Sequence, residues 1–275
     1  AILSRGYKGN AGTKVNVVNK ENRLLLSPKV AGDEPVMMAK KLNKVPLLVG
    51  TNRYNAGKYA LEHFDVDTLI LDDGFQQLAL HLDCNILLLD HTNPFGNKRV
   101  FPAGNLREPI DASARADLIC FTRYQKDTPD PKLKMFNEAD LIRTCPRLTG
   151  WIRLDTGEQF DIDEFHGKIV TMFCGIARPN DFANMLVKAG LKINSRCDFP
   201  DHHLYTKQDF QLIQEKAMRS RAEFIVTTEK DAVKVEKDSW KLPVIATVIE
   251  LDFINGKDIL INSILGKKVE RTMEN

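Results

Sequence analysis

The residues best suited to chemistry fall in short, separate clusters. "VAGDEPVMMAK" (30–40) sets Asp33 and Glu34 between a glycine and a proline, ahead of an apolar run. Core packing does not need two adjacent carboxylates at the start of a helix. "TLILDDGFQQ" (68–77) ends an apolar stretch in Asp72 and Asp73. A carboxylate at the end of an apolar strand resembles the Walker-B arrangement that holds Mg²⁺. "RVFPAGNLREP" (99–109) carries Arg107 and Glu108: the guanidinium suits bidentate contact with phosphate, and the carboxylate can complete a metal shell. "FPDHHLYT" (199–206) places His202 and His203 behind Asp201, where a carboxylate can orient an imidazole for proton transfer near neutral pH. Adjacent histidines do not have the spacing of a two-histidine metal site on one helix face. "TTEKDAVK" (227–234) offers Lys230 to an anion at a helix start, and "SRGYKG" (4–9) ends a strand with Arg5. Each cluster also has a plain structural reading: a helix cap, a surface ion pair or a packed histidine.

The elements that would position these groups follow a βα rhythm. Apolar runs at 45–50, 66–74, 84–97 and 112–123 alternate with helical spacing at 55–64, which predicts a parallel sheet covered on both faces. The stretch 124–134 reads as a loop, and 149–168 as a hairpin joining two lobes. Strand–helix units resume at 168–190, where Asn180 or Asp181 is suited to cap the helix and Gly190 to end it. Helical spacing follows at 206–221. At 222–235 a strand, loop and helix follow, with Thr227 or Thr228 as the cap, and 242–251 reads as a strand. The expected domains are a core over 1–148, a linker over 149–167 and a smaller α/β domain over 168–275. In open α/β sheets, ligands sit at the carboxyl ends of the strands, which is where these clusters fall.

Composition sets the outer bounds. The 275 residues are 43% hydrophobic and 28% charged, enough to bury a core without cross-links. A net charge of +2, from 39 basic and 37 acidic residues, gives no argument for nucleic-acid binding. The five cysteines form no CxxC, and Cys84, Cys120 and Cys174 lie in or beside apolar runs, so buried thiols in a reducing compartment are expected. No apolar run is long enough to span a membrane.

Taken in order, "LSRGYKG", "GDEPVMMAK", "LDDGFQQ", "FPAGNLREP", "FCGIARPNDF", "FPDHHLYT" and "TTEKDAVK" resemble the tetraacyldisaccharide 4'-kinase family of lipid A synthesis, over essentially the whole chain. The resemblance implies a P-loop NTPase-like α/β fold with a parallel sheet flanked by helices and a second, smaller α/β domain. It implies transfer of the ATP γ-phosphate, with Mg²⁺, to the 4'-hydroxyl of an acylated glucosamine disaccharide 1-phosphate. It also implies peripheral work at the cytoplasmic face of the Gram-negative inner membrane. The family's catalytic aspartate falls on Asp33, and its partner histidine on His202 or His203. Its paired carboxylates fall on Asp72 and Asp73, and its "LREP" pair on Arg107 and Glu108. Gln77 stands where the family has a histidine.

The family's phosphate-binding loop, GxxxxGK[ST], has no counterpart in these residues; "NAGTK" (10–14) and "NAGKY" (55–59) lack its spacing. The expectation is that this loop and a membrane-associating helix lie upstream of residue 1, and that this stretch alone binds ATP very weakly. Two rivals follow from the residues themselves. Acid pairs at strand ends also suit a Mg²⁺-dependent phosphohydrolase, and a degenerate member would bind glycolipid without turnover.

Overall fold

The computed structural model describes residues 1–12, 14–131, 141–235 and 240–273, with side chains as far as 266. Residues 132–134 of the expected loop lie outside that range. The first segment runs β1 (Ile2–Ser4), β2 (Asn16–Lys20), β3 (Arg23–Leu24), α1 (Pro28–Ala31), α2 (Asp33–Lys41), β4 (Leu47–Val49), α3 (Arg53–His63) and β5 (Ile70–Leu71). Next come β6 (Ile86–Asp90), β7 (Leu118–Thr122), the long β8 (Leu141–Arg153), β9 (Gln159–Phe160) and β10 (Ile169–Cys174). The chain finishes with α4 (Pro179–Lys188), β11 (Lys192–Asp198), α5 (Lys207–Arg219), β12 (Phe224–Thr227), α6 (Glu229–Ala232), β13 (Val244–Asn255) and α7 (Lys257–Met273).

Packing divides these elements into two compact units. One joins 1–74 to 148–249, and the other joins 75–147 to 250–275. This grouping differs from the expected division into 1–148, 149–167 and 168–275. The "DHH" and "TTEKDAVK" segments pack with the N-terminal segment instead of forming a domain with the chain's end. The stretch expected to link two lobes is a hairpin, with β8 and β9 antiparallel (Trp151 opposite Phe160), and it belongs to the first unit.

The fold is α/β, as the apolar runs predict. In the first unit β1 pairs in parallel with β4 and β5. A short antiparallel edge, β2 with β3, departs from an all-parallel sheet. β10 pairs in parallel with β11 and β12, and β12 with β13. In the second unit β6, β7 and the start of β8 are parallel neighbours. The predicted strand at 66–74 contracts to two residues. Its pairing with β1 extends a little further, since the Ile70 amide donates to the Ala1 carbonyl and the Asp72 amide to the Leu3 carbonyl.

Local chemistry accounts for the helix starts. α4 begins at Pro179, one or two residues before the expected caps Asn180 and Asp181, because a proline at the first helical position already has the φ a helix needs. α5 opens with a reciprocal box between Thr206 and Asp209, and the Thr228 hydroxyl accepts the Asp231 amide at 3.0 Å to start α6. α2 and α6 lie side by side over a core cluster that includes Ile2, Val18, Val36 and Val49, with Val233 packed against it.

Gly32 sets the entry to α2. Its φ is +94°, and a β-carbon there would lie 2.8 Å from the Tyr7 carbonyl oxygen. An L side chain rarely takes that conformation. Gly32→Ala is expected to cost about 1–3 kcal/mol of stability and to displace Asp33. Urea unfolding midpoints would check the first effect, and a variant as stable as the parent would contradict the assigned strain.

Candidate active site

Asp33 is the first residue of α2, and its side chain is only 5% exposed. Burial opposes its ionisation, yet its surroundings overcome that cost. His202 Nδ1 lies 2.8 Å from Oδ1 and 3.1 Å from Oδ2. The Glu34 amide donates to Oδ1 at 2.9 Å, and the Lys234 ammonium sits 3.2 Å from Oδ2. The His202 hydrogen bond and the Lys234 and Lys230 charges together hold the Asp33 carboxyl below the usual carboxylate range.

The loop after β11 delivers His202. Its φ of +59° is left-handed, and its amide donates to the Gly175 carbonyl at the end of β10 (3.0 Å). Gly175 permits this approach, since a β-carbon there would lie 3.1 Å from the Pro200 carbonyl. The far side of the imidazole is equally determined. The Lys230 ammonium lies 3.1 Å from Nε2, and a lysine can only donate. Nε2 therefore accepts, and Nδ1 carries the proton given to Asp33, a tautomer assigned from these two partners. Lys230 also pairs with Glu34 and with Asp201, each at 3.1 Å. Burial lowers the Lys230 pKa, but the Glu34, Asp201 and Asp33 interactions outweigh it and raise the value.

His203 is used differently. Its Nε2 meets Asp209 Oδ2 at 3.0 Å, and its ring stacks on Phe199. It thus joins the cap of α5, and of the two expected histidines only His202 reaches Asp33.

Asp72 and Asp73 stand at the end of β5, in the same unit. The Ser4 hydroxyl donates to Asp72 Oδ2 at 2.8 Å. Burial chiefly raises the Asp72 pKa, and the Asp73 and Glu34 charges add to it. Asp73 is exposed, with a φ of +52°. Arg53, on α3, is 3% exposed and anchored to the Gly50 carbonyl. Burial lowers its pKa, and the Asp72 and Asp73 charges oppose that. Arg5 is exposed and adds positive charge near Arg53. Arg107 and Glu108 belong to the other unit, where Arg107 is exposed and Glu108 pairs with Arg115 at 2.9 Å. That hydrogen bond holds the Glu108 carboxyl below its ordinary value.

The structure therefore gathers Asp33, His202 and Lys230 into one cluster and sets Asp72 beside Asp73. It pairs His203 and Glu108 with other residues. Sequence reasoning missed Lys234, Asp231 and Arg53. The spacing of Lys230 and Lys234, four residues apart in a helical stretch, was the available signal that both face one way. Cys174 ends β10 beside this cluster, but burial, aided by the Asp231 charge, pushes its thiol up to about 12, so it offers no thiolate nucleophile. Cys120, Cys174 and Cys197 are buried, while Cys84 and Cys145 are half-buried.

Comparison with known proteins finds relatives over most of the chain. Residues 1–267 match the family model described as tetraacyldisaccharide-1-P 4'-kinase. A tetraacyldisaccharide 4'-kinase from Syntrophus aciditrophicus is 38% identical over 248 residues, covering 86% of this chain and 66% of its own length. One from Geobacter sulfurreducens is 39% identical over 252 residues, covering 91% and 70%. The crystal structure of the "apo" form of LpxK from Aquifex aeolicus in complex with ATP superposes with a TM-score of 0.77 at 31% identity, covering 97% of this chain and 78% of that one. The chain thus spans about two thirds to three quarters of the length of these relatives.

A carboxyl held below its ordinary pKa stabilises the fold above that ordinary value, near 4, and loses the contribution as pH falls through the lowered one. Asp33→Asn also leaves Lys234 with one buried partner fewer. It is expected to cost about 3 kcal/mol at pH 7, and the deficit should shrink below about pH 4. Denaturant titrations across that range would check this. A deficit that is the same at pH 3 and pH 7 would contradict it.

Proposed function

The chain belongs to the tetraacyldisaccharide 4'-kinase family, and from that premise we propose that Asp33 accepts the sugar-hydroxyl proton as phosphate is transferred. The whole protein would then move the γ-phosphate of ATP to the 4'-hydroxyl of a lipid A precursor, an acylated glucosamine disaccharide 1-phosphate. The observation that carries this reading is the buried Asp33–His202 pair at the carboxyl ends of the strands, in the same unit as Asp72 and Asp73. That the Aquifex aeolicus structure is a complex with ATP supports ATP as the donor.

Phosphoryl transfer asks mainly for alignment and for neutralised charge, with a positioned acceptor for the hydroxyl proton. Asp33 suits the acceptor role because its low pKa keeps it ionised at neutral pH. Oδ1 already accepts from the Glu34 amide and His202, while Oδ2 accepts from Lys234 and keeps lone-pair capacity for a further donor. His202 fixes the carboxylate's orientation. Lys230 in turn fixes the imidazole, and Lys230 and the exposed Arg5 are proposed as contacts for the nucleotide's phosphates.

Asp72 and Asp73 fit a Mg²⁺ ion. Their oxygens are hard donors, and two carboxylates suffice for an ion that keeps water and phosphate oxygens in its shell. Asp72 is half-buried among like charges that a cation would relieve. When bound, such an ion would neutralise phosphate charge. Glu108 is spoken for by Arg115 and is a weaker candidate ligand, and Arg107 is proposed as a phosphate contact. Among the described residues no helix is long and apolar enough to cross a membrane. Peripheral contact at the cytoplasmic face of the inner membrane is proposed from the acylated substrate. The comparisons favour neither the phosphohydrolase nor the non-catalytic reading.

In the complete enzyme, Asp33→Asn is expected to lower kcat by about 10²–10⁴, the range for a lost general base, while ATP affinity stays near that of the parent. His202→Asn should lower kcat strongly, and His203→Asn should act mainly on stability. Steady-state phosphorylation of the disaccharide would decide. Near-normal turnover by Asp33→Asn, or equal losses for the two histidines, would sink the assignment.

A further inference from the structure

Behind Asp33 lies a charged pair for which the reaction as described has no use. Lys234 follows α6, and its side chain is 5% exposed. Its ammonium sits between two carboxylates: Asp33 Oδ2 at 3.2 Å and Asp231 Oδ1 at 2.8 Å. The Tyr205 ring lies 5.2 Å from the same nitrogen. Asp231 is fully buried, and its other oxygen accepts from the Gly175 amide at 2.9 Å and the Thr228 hydroxyl at 2.8 Å. Helix capping alone does not require this arrangement. The Thr228 hydroxyl already satisfies the α6 start, and a neutral side chain at 231 would accept the same two hydrogen bonds. What a charged Asp231 adds is a second anion competing for Lys234.

We propose that Lys234 and Asp231 are positioning residues that together set how tightly Asp33 holds a proton. Lys234 favours the carboxylate of Asp33, and Asp231 limits that effect by taking the shorter contact with the same ammonium. A full positive charge on Asp33 would leave a carboxylate too weakly basic to accept a proton, whereas no charge would leave a buried carboxylic acid that is already protonated. The inference rests on the reading of Asp33 as the proton acceptor.

The other groups facing Asp33 are accounted for. From α2 it meets the Glu34 amide, while the Glu34 carboxylate is turned to Lys230. From the loop before α5 it meets His202, whose Nε2 is 3.9 Å from both Glu34 and Asp201. From α6 it feels Lys230 at longer range, and from just past that helix Lys234 directly. Tyr7, in the loop after β1, packs edge-on against His202. Of these, Lys234 alone combines direct contact with Asp33 and a buried counter-charge on its far side.

The experiment compares Lys234→Met and Asp231→Asn with the parent, each in the complete enzyme. Two readouts are needed: the acid limb of the kcat–pH profile, and a ¹³C NMR titration of the Asp33 carboxyl, assigned by its loss in Asp33→Asn. An opposite charge in contact lowers an aspartate by about 1–3 pH units. Lys234→Met should therefore raise both midpoints by about one unit or more, cutting the rate on the acid limb by about tenfold. Asp231→Asn frees Lys234 for Asp33 and should move both midpoints the other way. A merely structural strut would lower the unfolding midpoint in both variants and leave the titrations where they were. That outcome, or shifts of the same sign in both, would overturn the proposal. If Lys234→Met fails to fold, the sign in Asp231→Asn still decides, and so does the parent: an Asp33 that titrates at or above the ordinary carboxylate value overturns it. If Asp33→Asn keeps its turnover while the two carboxyl shifts appear, the relay stands and the catalytic reading falls.

Discussion

A carboxylate buried to 5% exposure is tolerable only when its charge is met from close by. Asp33 obtains that from two segments about 170 and 200 residues further along the chain, one bringing His202 and the other Lys234. Much of the first unit is arranged by this requirement. α2 must begin where the loop after β11 and the residues just past α6 can both reach its first residue. The contact recurs at the other end of α2, where Lys41 meets Glu229 at 3.4 Å and donates to the Ile249 carbonyl at 2.8 Å. Two short helices are thereby tied at both ends, with apolar packing between. The outer tie is exposed and contributes little. The inner tie is buried, and breaking it by removing one partner is the costly change.

The same arrangement separates two kinds of acid. Asp33 is surrounded by donors and cations, while Asp72 has Asp73 and Glu34 near it, against the Ser4 hydroxyl bond and the Arg53 charge. Environment thus pushes a buried and a half-buried aspartate of one unit in opposite directions. One is kept ionised by neighbouring side chains, and the other has reason to attract a cation. This division is what a phosphoryl-transfer site asks of its acids.

Much of this was legible in the chain. Strand ends delivering Asp72 and Asp73, a helix opening at Asp33, the cap of α6 and the Asp–His partnership all follow from local pattern and from motif order. What stayed hidden has physical causes. Lys234 looks like one more charge on a mixed helix, and nothing local reveals that its side chain is buried between two acids. The choice between His202 and His203 goes with a left-handed φ at position 202, a conformation uncommon for any non-glycine residue and not marked by the local sequence. Domain grouping also escaped the pattern. The return of 148–249 to the first 74 residues depends on long-range contacts that no local pattern marks. β8 and β13 are also long enough to have residues in both units, so no break in strand pattern marks the change.

Gly32 touches more than the helix it opens. A side chain there would press on the Tyr7 carbonyl, and the Tyr7 ring lies 5.3 Å from the His202 ring. The next residue in the other direction is Asp33 itself. One backbone pivot therefore serves both members of the Asp–His pair. For anyone grafting this pair into another scaffold, two side chains are not the transferable part. The smallest portable piece includes the tyrosine carbonyl and the glycine that fits beneath it, and homologous chains are expected to vary these positions together or leave them alone.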